Sequence, residues 1–109
     1  MMLEGVPFAA IEWNSIPVEE LPGEKGVARS RTHQSREFRV RMVEYSAGYV
    51  ADHWCTKGHI VLRLRGEFLS RHKDGSTRSI RAGMSYIVGE AKVPHRSSSE
   101  GGATLFIVD

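Results

Sequence analysis

Apolar and polar positions alternate along much of this chain. Phe38, Val40 and Met42 alternate with Arg39 and Arg41, a period of two. Such a period marks a β-strand, because successive side chains of a strand point to opposite faces. Strands are expected over 27–33, 38–42, 59–64, 67–71, 77–80, 85–88, 94–98 and 103–108. Turn residues separate them. Lys73-Asp74-Gly75-Ser76 is a hairpin turn, since Asp-Gly tolerates positive φ. Ser46-Ala47-Gly48, Lys57-Gly58, Gly66, Ala82-Gly83 and Gly101-Gly102 mark the other connections. No segment carries a convincing helical period.

The first part of the chain differs. Residues 1–24 read as an irregular arm in which Phe8, Ile11 and Trp13 offer apolar groups to a neighbour. Pro17 and Pro22 interrupt regular structure, and Glu19-Glu20 is expected in a short helical turn. The division is an N-terminal arm, 1–24, and a β-barrel, 25–109, within a single domain. Many short strands with glycine-rich turns predict an all-β barrel or double-sheet jelly roll.

Composition narrows the setting. The chain has 109 residues, one domain's worth, and one cysteine. An internal disulfide is therefore excluded, which fits a reducing compartment, and the expectation is a cytoplasmic protein. The N-terminus shows no basic leader, and no apolar run approaches the length of a membrane span, so neither export nor membrane insertion is expected. The formal net charge is +2. The arginines are scattered and read as solvated strand faces, so no nucleic-acid partner is expected.

Candidate chemistry collects in Gly48–Gly66, which holds Cys55, His53, His59 and Trp54. On a strand His53 and Cys55 share a face. A turn at Lys57-Gly58 lets His59 join them, and a curled sheet brings in His95. Imidazole and thiolate together favour a transition metal such as zinc, iron or nickel over magnesium or calcium. The plainer alternative is a polar surface strand with a small buried cysteine.

The spacing resembles the cupin superfamily. Gly48, four residues, His53-x-Cys55, three residues, His59, six residues and Gly66 follow the frame of the first cupin motif. Cys55 stands at a histidine position and His59 at a glutamate position. Gly83, Gly89, His95 and Ser99 follow the second motif, with one extra residue before His95. Asp52-His53-Trp54-Cys55, Gly83-Met84-Ser85-Tyr86, Pro94-His95-Arg96-Ser97-Ser98 and the segment Leu105–Asp109 are similar to a group of small bacterial single-domain cupins named for a DHCW motif. The resemblance implies a double-stranded β-helix, the cupin jelly roll. It also implies a divalent metal on His53, Cys55, His59 and His95, and a homodimer.

Two function classes follow. One is a metal-dependent enzyme, an oxygenase or an isomerase, acting on a small molecule. The other is a non-catalytic cupin, a sensor or storage module or a dimeric scaffold. Four protein ligands would fill a tetrahedral zinc, whereas a larger coordination number leaves room for substrate. If His59 points inward, Val61 and Arg63 share its face and Ile60, Leu62 and Leu64 form an apolar face that the arm or a second copy must cover. The reverse phase, with His59 on the surface, is the alternative. Met42, Arg63 and Tyr86 are the candidate substrate-pocket residues. Arg63 reads either as a carboxylate binder or as a rim arginine paired with Glu44 or Glu67. Trp54 is read as packing.

Overall fold

A computed structural model describes residues 3–109. Among them are ten strands: β1 (Glu19–Pro22), β2 (Val27–Ser35), β3 (Phe38–Tyr45), β4 (Tyr49–Val50), β5 (His59–Gly66), β6 (Phe68–His72), β7 (Thr77–Ile80), β8 (Ser85–Val88), β9 (His95–Ser99) and β10 (Ala103–Val108). They form two sheets, one ordered β1-β2-β3-β10-β5-β8 and the other β4-β9-β6-β7. Neighbouring strands pair antiparallel throughout. The chain is thus all-β with two sheets, as the alternation predicts.

Turn chemistry sets the local connections. In the β6–β7 hairpin the Ser76 N–H donates to Asp74 Oδ1 and Gly75 takes a φ of 90°. At Gly66 φ is 71°, and an added Cβ would lie 2.2 Å from the Gly102 carbonyl oxygen, so only glycine lets β5 turn against the start of β10.

The core lies between the sheets. Leu105 and Val61 are each 1% exposed, and Phe68, Val43, Ile80 and Ile107 join them. Burying an aliphatic side chain of this kind contributes roughly 1.5–3 kcal/mol. Tyr45 stacks on Tyr49 with ring centroids 4.3 Å apart.

The phase of β3 is opposite to the one a simple apolar-inside rule gives. Register pairs Arg41 with Ile107 and Val43 with Leu105, so Arg39, Arg41 and Val43 face inward. Phe38, Val40 and Met42 lie on the outer face. There Trp13, in a single 3-10 turn (Trp13–Ser15), packs edge-on against Phe106, and Arg31 Nη1 donates to the Trp13 carbonyl at 2.8 Å. Among the arginines read as solvated, Arg39 and Arg41 are turned inward by the structure, while Arg65, Arg71, Arg78 and Arg81 are exposed. Trp13 on the outer face and a carboxylate, Asp109, on the inner face reverse the usual assignment.

The arm covers only part of that face. Ile60, Leu62 and Leu64 remain 40–44% exposed and Ile87 77%, while Phe8 is 96% exposed and covers nothing. A second correction concerns Glu19-Glu20, which are not helical. Glu19–Pro22 is an edge strand paired with β2. Pro22 ends it, and an edge strand tolerates a residue that cannot donate.

Candidate metal centre

Register across the first sheet builds one wall of the site. Val108 pairs with Val40 on one side and with Ile60 on the other. The next residue, Asp109, therefore falls between Arg39 and His59. Its backbone confirms the first pairing, with Arg39 N–H donating to the Asp109 carbonyl at 2.7 Å and the reverse bond at 3.0 Å. Cross-strand neighbours on one face interact directly. Arg39 Nε donates to Asp109 Oδ1 at 2.8 Å, Arg41 Nη2 donates to Oδ2 at 2.7 Å, and His59 Nδ1 lies 3.5 Å from Oδ2.

The Asp109 side chain is fully buried. Burial works against its charged form. The interactions with His59 and Arg39 and the charge of Arg41 outweigh that and hold the carboxyl well below its ordinary range.

The second sheet supplies His95, at the start of β9. Cys55 is delivered by a bridge and not by a regular strand. Cys55 N–H donates to the His95 carbonyl at 2.7 Å, and His95 N–H returns the bond at 3.0 Å. The following turn packs tightly on residues 88–90: an added Cβ at Gly58 would lie 2.8 Å from the Glu90 nitrogen. Glu90 Oε1 accepts from the Gly58 N–H at 2.9 Å. These contacts carry the chain from Cys55 on one sheet to His59 on the other.

Cys55, His59 and His95 meet with their ligand atoms all within 4.8 Å of one another. His59 Nε2 and His95 Nε2 are 2.8 Å apart, and both rings are buried. His95 Nδ1 donates to the Val93 carbonyl at 2.7 Å, an acceptor only, so the His95 proton sits on Nδ1 and Nε2 presents a lone pair. His59 Nδ1 is buried, points toward the Asp109 carboxylate and has no hydrogen-bond partner. A proton on that nitrogen leaves a second lone pair facing the first.

Two imidazole nitrogens 2.8 Å apart with a thiol beside them fit a divalent cation, which satisfies all three at once when His59 carries its proton on Nδ1. Cys55 has its thiol pKa lowered, chiefly by its hydrogen bond to His95, and the same bond raises His95. A Cys/His triad able to coordinate a metal ion is therefore present.

The other residues singled out in the sequence fall as follows. His53 is not brought to the triad. Its side chain is 72% exposed and its Nδ1 meets Asp52 Oδ1 at 2.6 Å. Residues 52–53 form a bend, so the two-residue strand period that would align His53 with Cys55 does not operate. Tyr86 does reach the site, with its hydroxyl 3.3 Å from His59 Nε2. Burial pushes that hydroxyl's pKa up. Met42 lies on the outer face, away from the cavity. Arg63 faces inward but donates to the Gly66 carbonyl at 3.1 Å and does not reach the triad. Trp54 has two cations near its ring, with Arg96 Cζ 5.6 Å and Lys73 Nζ 5.7 Å from the centroid.

The triad opens into a cavity of about 640 Å³ between the sheets, lined also by Arg39, Arg41, Asp109 and Tyr86. A smaller cavity of about 310 Å³ lies on the other side of Tyr86 and His95. Sequence reasoning missed Arg39, Arg41 and Asp109. The period of two already put Asp109 on the face of Leu105 and Ile107. Its partners needed the strand order.

No family model and no curated protein match the sequence. Solved structures do match. An RmlC-like cupin of Shewanella frigidimarina is 18% identical, with 94% of this chain and 90% of that one covered at a TM-score of 0.72. A predicted oxalate decarboxylase of Thermotoga maritima is 17% identical over 92% of this chain and 96% of that one, TM-score 0.75. Ectoine synthase of P. lautus is 16% identical over 93% of this chain and 76% of that one, TM-score 0.74. The fold is that of the cupins. At these identities the likeness concerns the cupin fold alone. No helix among the described residues is long and apolar enough to cross a membrane.

Proposed function

We propose that this chain is a small metal-binding cupin, a jelly roll of the DHCW type, that acts as a divalent-metal-dependent enzyme on a small molecule. The observation that carries the reading is the meeting of His59 Nε2 and His95 Nε2 beside Cys55, with each ring's other nitrogen turned toward an oxygen acceptor. Cys55, His59 and His95 would hold the ion. Three protein ligands leave even a four-coordinate metal one open position, which is the arrangement of a catalytic and not a structural site.

A bound transition metal would supply Lewis acidity or a site for oxygen. The chain supplies the rest. Asp109, gripped by Arg39 and Arg41, sets its carboxylate 3.5 Å from His59 Nδ1. The Val93 carbonyl accepts from His95 Nδ1. The Tyr86 hydroxyl, kept protonated by burial, is a hydrogen-bond donor at the edge of the centre. The cavity of about 640 Å³ lies within the range of small-molecule sites.

Elemental analysis of protein purified without an affinity tag tests the reading. Close to one equivalent of a transition metal is expected, with Cys55→Ser and His95→Ala losing most of it. Less than about a tenth of an equivalent in the wild type, with no thermal stabilisation by added zinc, iron or nickel, would sink it.

A further inference from the structure

The inner wall beside the triad carries more positive charge than the protein itself neutralises. Arg39 and Arg41 both lean on one carboxylate, Asp109, so two guanidinium groups face a single anion. Arg41 engages it through one nitrogen, Nη2, while its Nε is buried without a partner among the described residues, so any donor it offers the cavity is at the Nη end. Its side chain keeps 16% of its surface open and lines the large cavity, as does that of Arg39 at 33%. Lys57 adds another cation to the lining. Asp52, the other acid there, is turned to His53.

Asp109 Oδ2 touches both Arg41 Nη2 and, at 3.5 Å, His59 Nδ1, so the guanidinium stands one carboxylate away from a metal-centre ring. The charge of Arg41 is felt at Cys55 and Tyr86 as well. A planar fork with unused N–H donors, in a partly desolvated cavity, matches a carboxylate in shape and charge.

We infer that the cavity binds a small organic acid whose carboxylate lies against Arg41 while its other end reaches the Cys55–His59–His95 centre. The inference rests on reading that triad as the site of chemistry and names its substrate class.

Calorimetric titration of the metal-loaded full chain with malonate, pyruvate, malonamide and inorganic phosphate tests it. At least one of the two acids is expected to bind about tenfold or more tightly than the neutral diamide, and more tightly than phosphate. Arg41→Gln, titrated after loading with zinc to one equivalent, is expected to weaken that binding by about tenfold or more, the loss of one charged hydrogen bond. Arg41→Lys, which keeps charge without the fork, falls between them.

Acids that bind no better than malonamide, phosphate that binds more tightly than either acid, or an Arg41→Gln affinity within about twofold of wild type would each overturn the assignment. If Arg41→Gln does not fold, Arg41→Lys and the wild-type comparison decide. Metal content is read separately. Acid selectivity in a chain that takes up no metal would end the metal reading and leave only the carboxylate site at Arg41 standing. One equivalent of metal without acid selectivity would do the reverse.

Discussion

His59 and His95 come from different sheets, and their Nε2 atoms are 2.8 Å apart. An ion held there ties the two sheets together. Loading with zinc should therefore stabilise the fold as well as fill a site. At free metal about a hundredfold above Kd the gain is about 2.7 kcal/mol. For a domain of this size that is about 10 °C or more in Tm. Scanning calorimetry with and without chelator checks it, and a Tm that ignores zinc would contradict it.

His53 lies outside this junction. Its side chain is largely exposed and pairs with Asp52. His53→Ala should leave metal content at the wild-type level and change stability by less than about 0.5 kcal/mol. Loss of metal in that variant, measured by elemental analysis, would bring His53 into the coordination set.

Tyr49 makes stability depend on alkaline pH. Its pKa is pushed up to about 12 by burial, with the neighbouring Tyr45 adding to the shift. Tyr45 is raised by burial as well. An unfolded tyrosine ionises near pH 10. The folded state thus holds its protons longer, and its advantage is complete below pH 10 and lost as pH rises toward 12. Tm should be flat up to about pH 10 and fall above it, in step with tyrosinate absorbance. Tyr49→Phe should flatten that fall.

Leu105 is central to the packing between the sheets. Leu105→Ala should cost about 2–5 kcal/mol, the range for a fully buried leucine. Urea unfolding measures it. A cost under about 1 kcal/mol would mean that the core collapses around the missing side chain.

Ile60, Leu62, Leu64 and Ile87 leave an apolar strip on the outer face. A second copy of the chain is the expected cover, making a homodimer. Sedimentation velocity should show a dimer for the wild type and a shift toward monomer for Ile87→Lys. A wild type that sediments as a monomer at high concentration would contradict this.

Much of the fold was open to reading along the sequence. The β7, β8 and β10 bounds follow from alternation and turn residues, because both signals are local. Strand partners are not local. That β10 lies between β3 and β5 is settled only by folding, and with it the row Arg39, Asp109, His59. The phase of β3 departs from the apolar-inside rule for a related reason: Asp109 draws Arg39 and Arg41 inward, and Trp13 packs on the outer face at Phe106. In the centre, Cys55, His59 and His95 were marked by residue type and spacing. His53 was included by assuming a regular strand where the chain bends.

The interior ion cluster of Arg39, Arg41 and Asp109 has a consequence for protein engineering. A cluster built on a buried carboxylate is often matched or bettered in stability by apolar residues of similar volume. A stability screen, or a design procedure rewarding compactness, would tend to write it out of the sequence. Exchanging all three together for apolar residues should therefore yield a chain that folds well and lacks the proposed carboxylate site. Libraries intended to keep function should hold these three positions fixed while the apolar strip outside is varied.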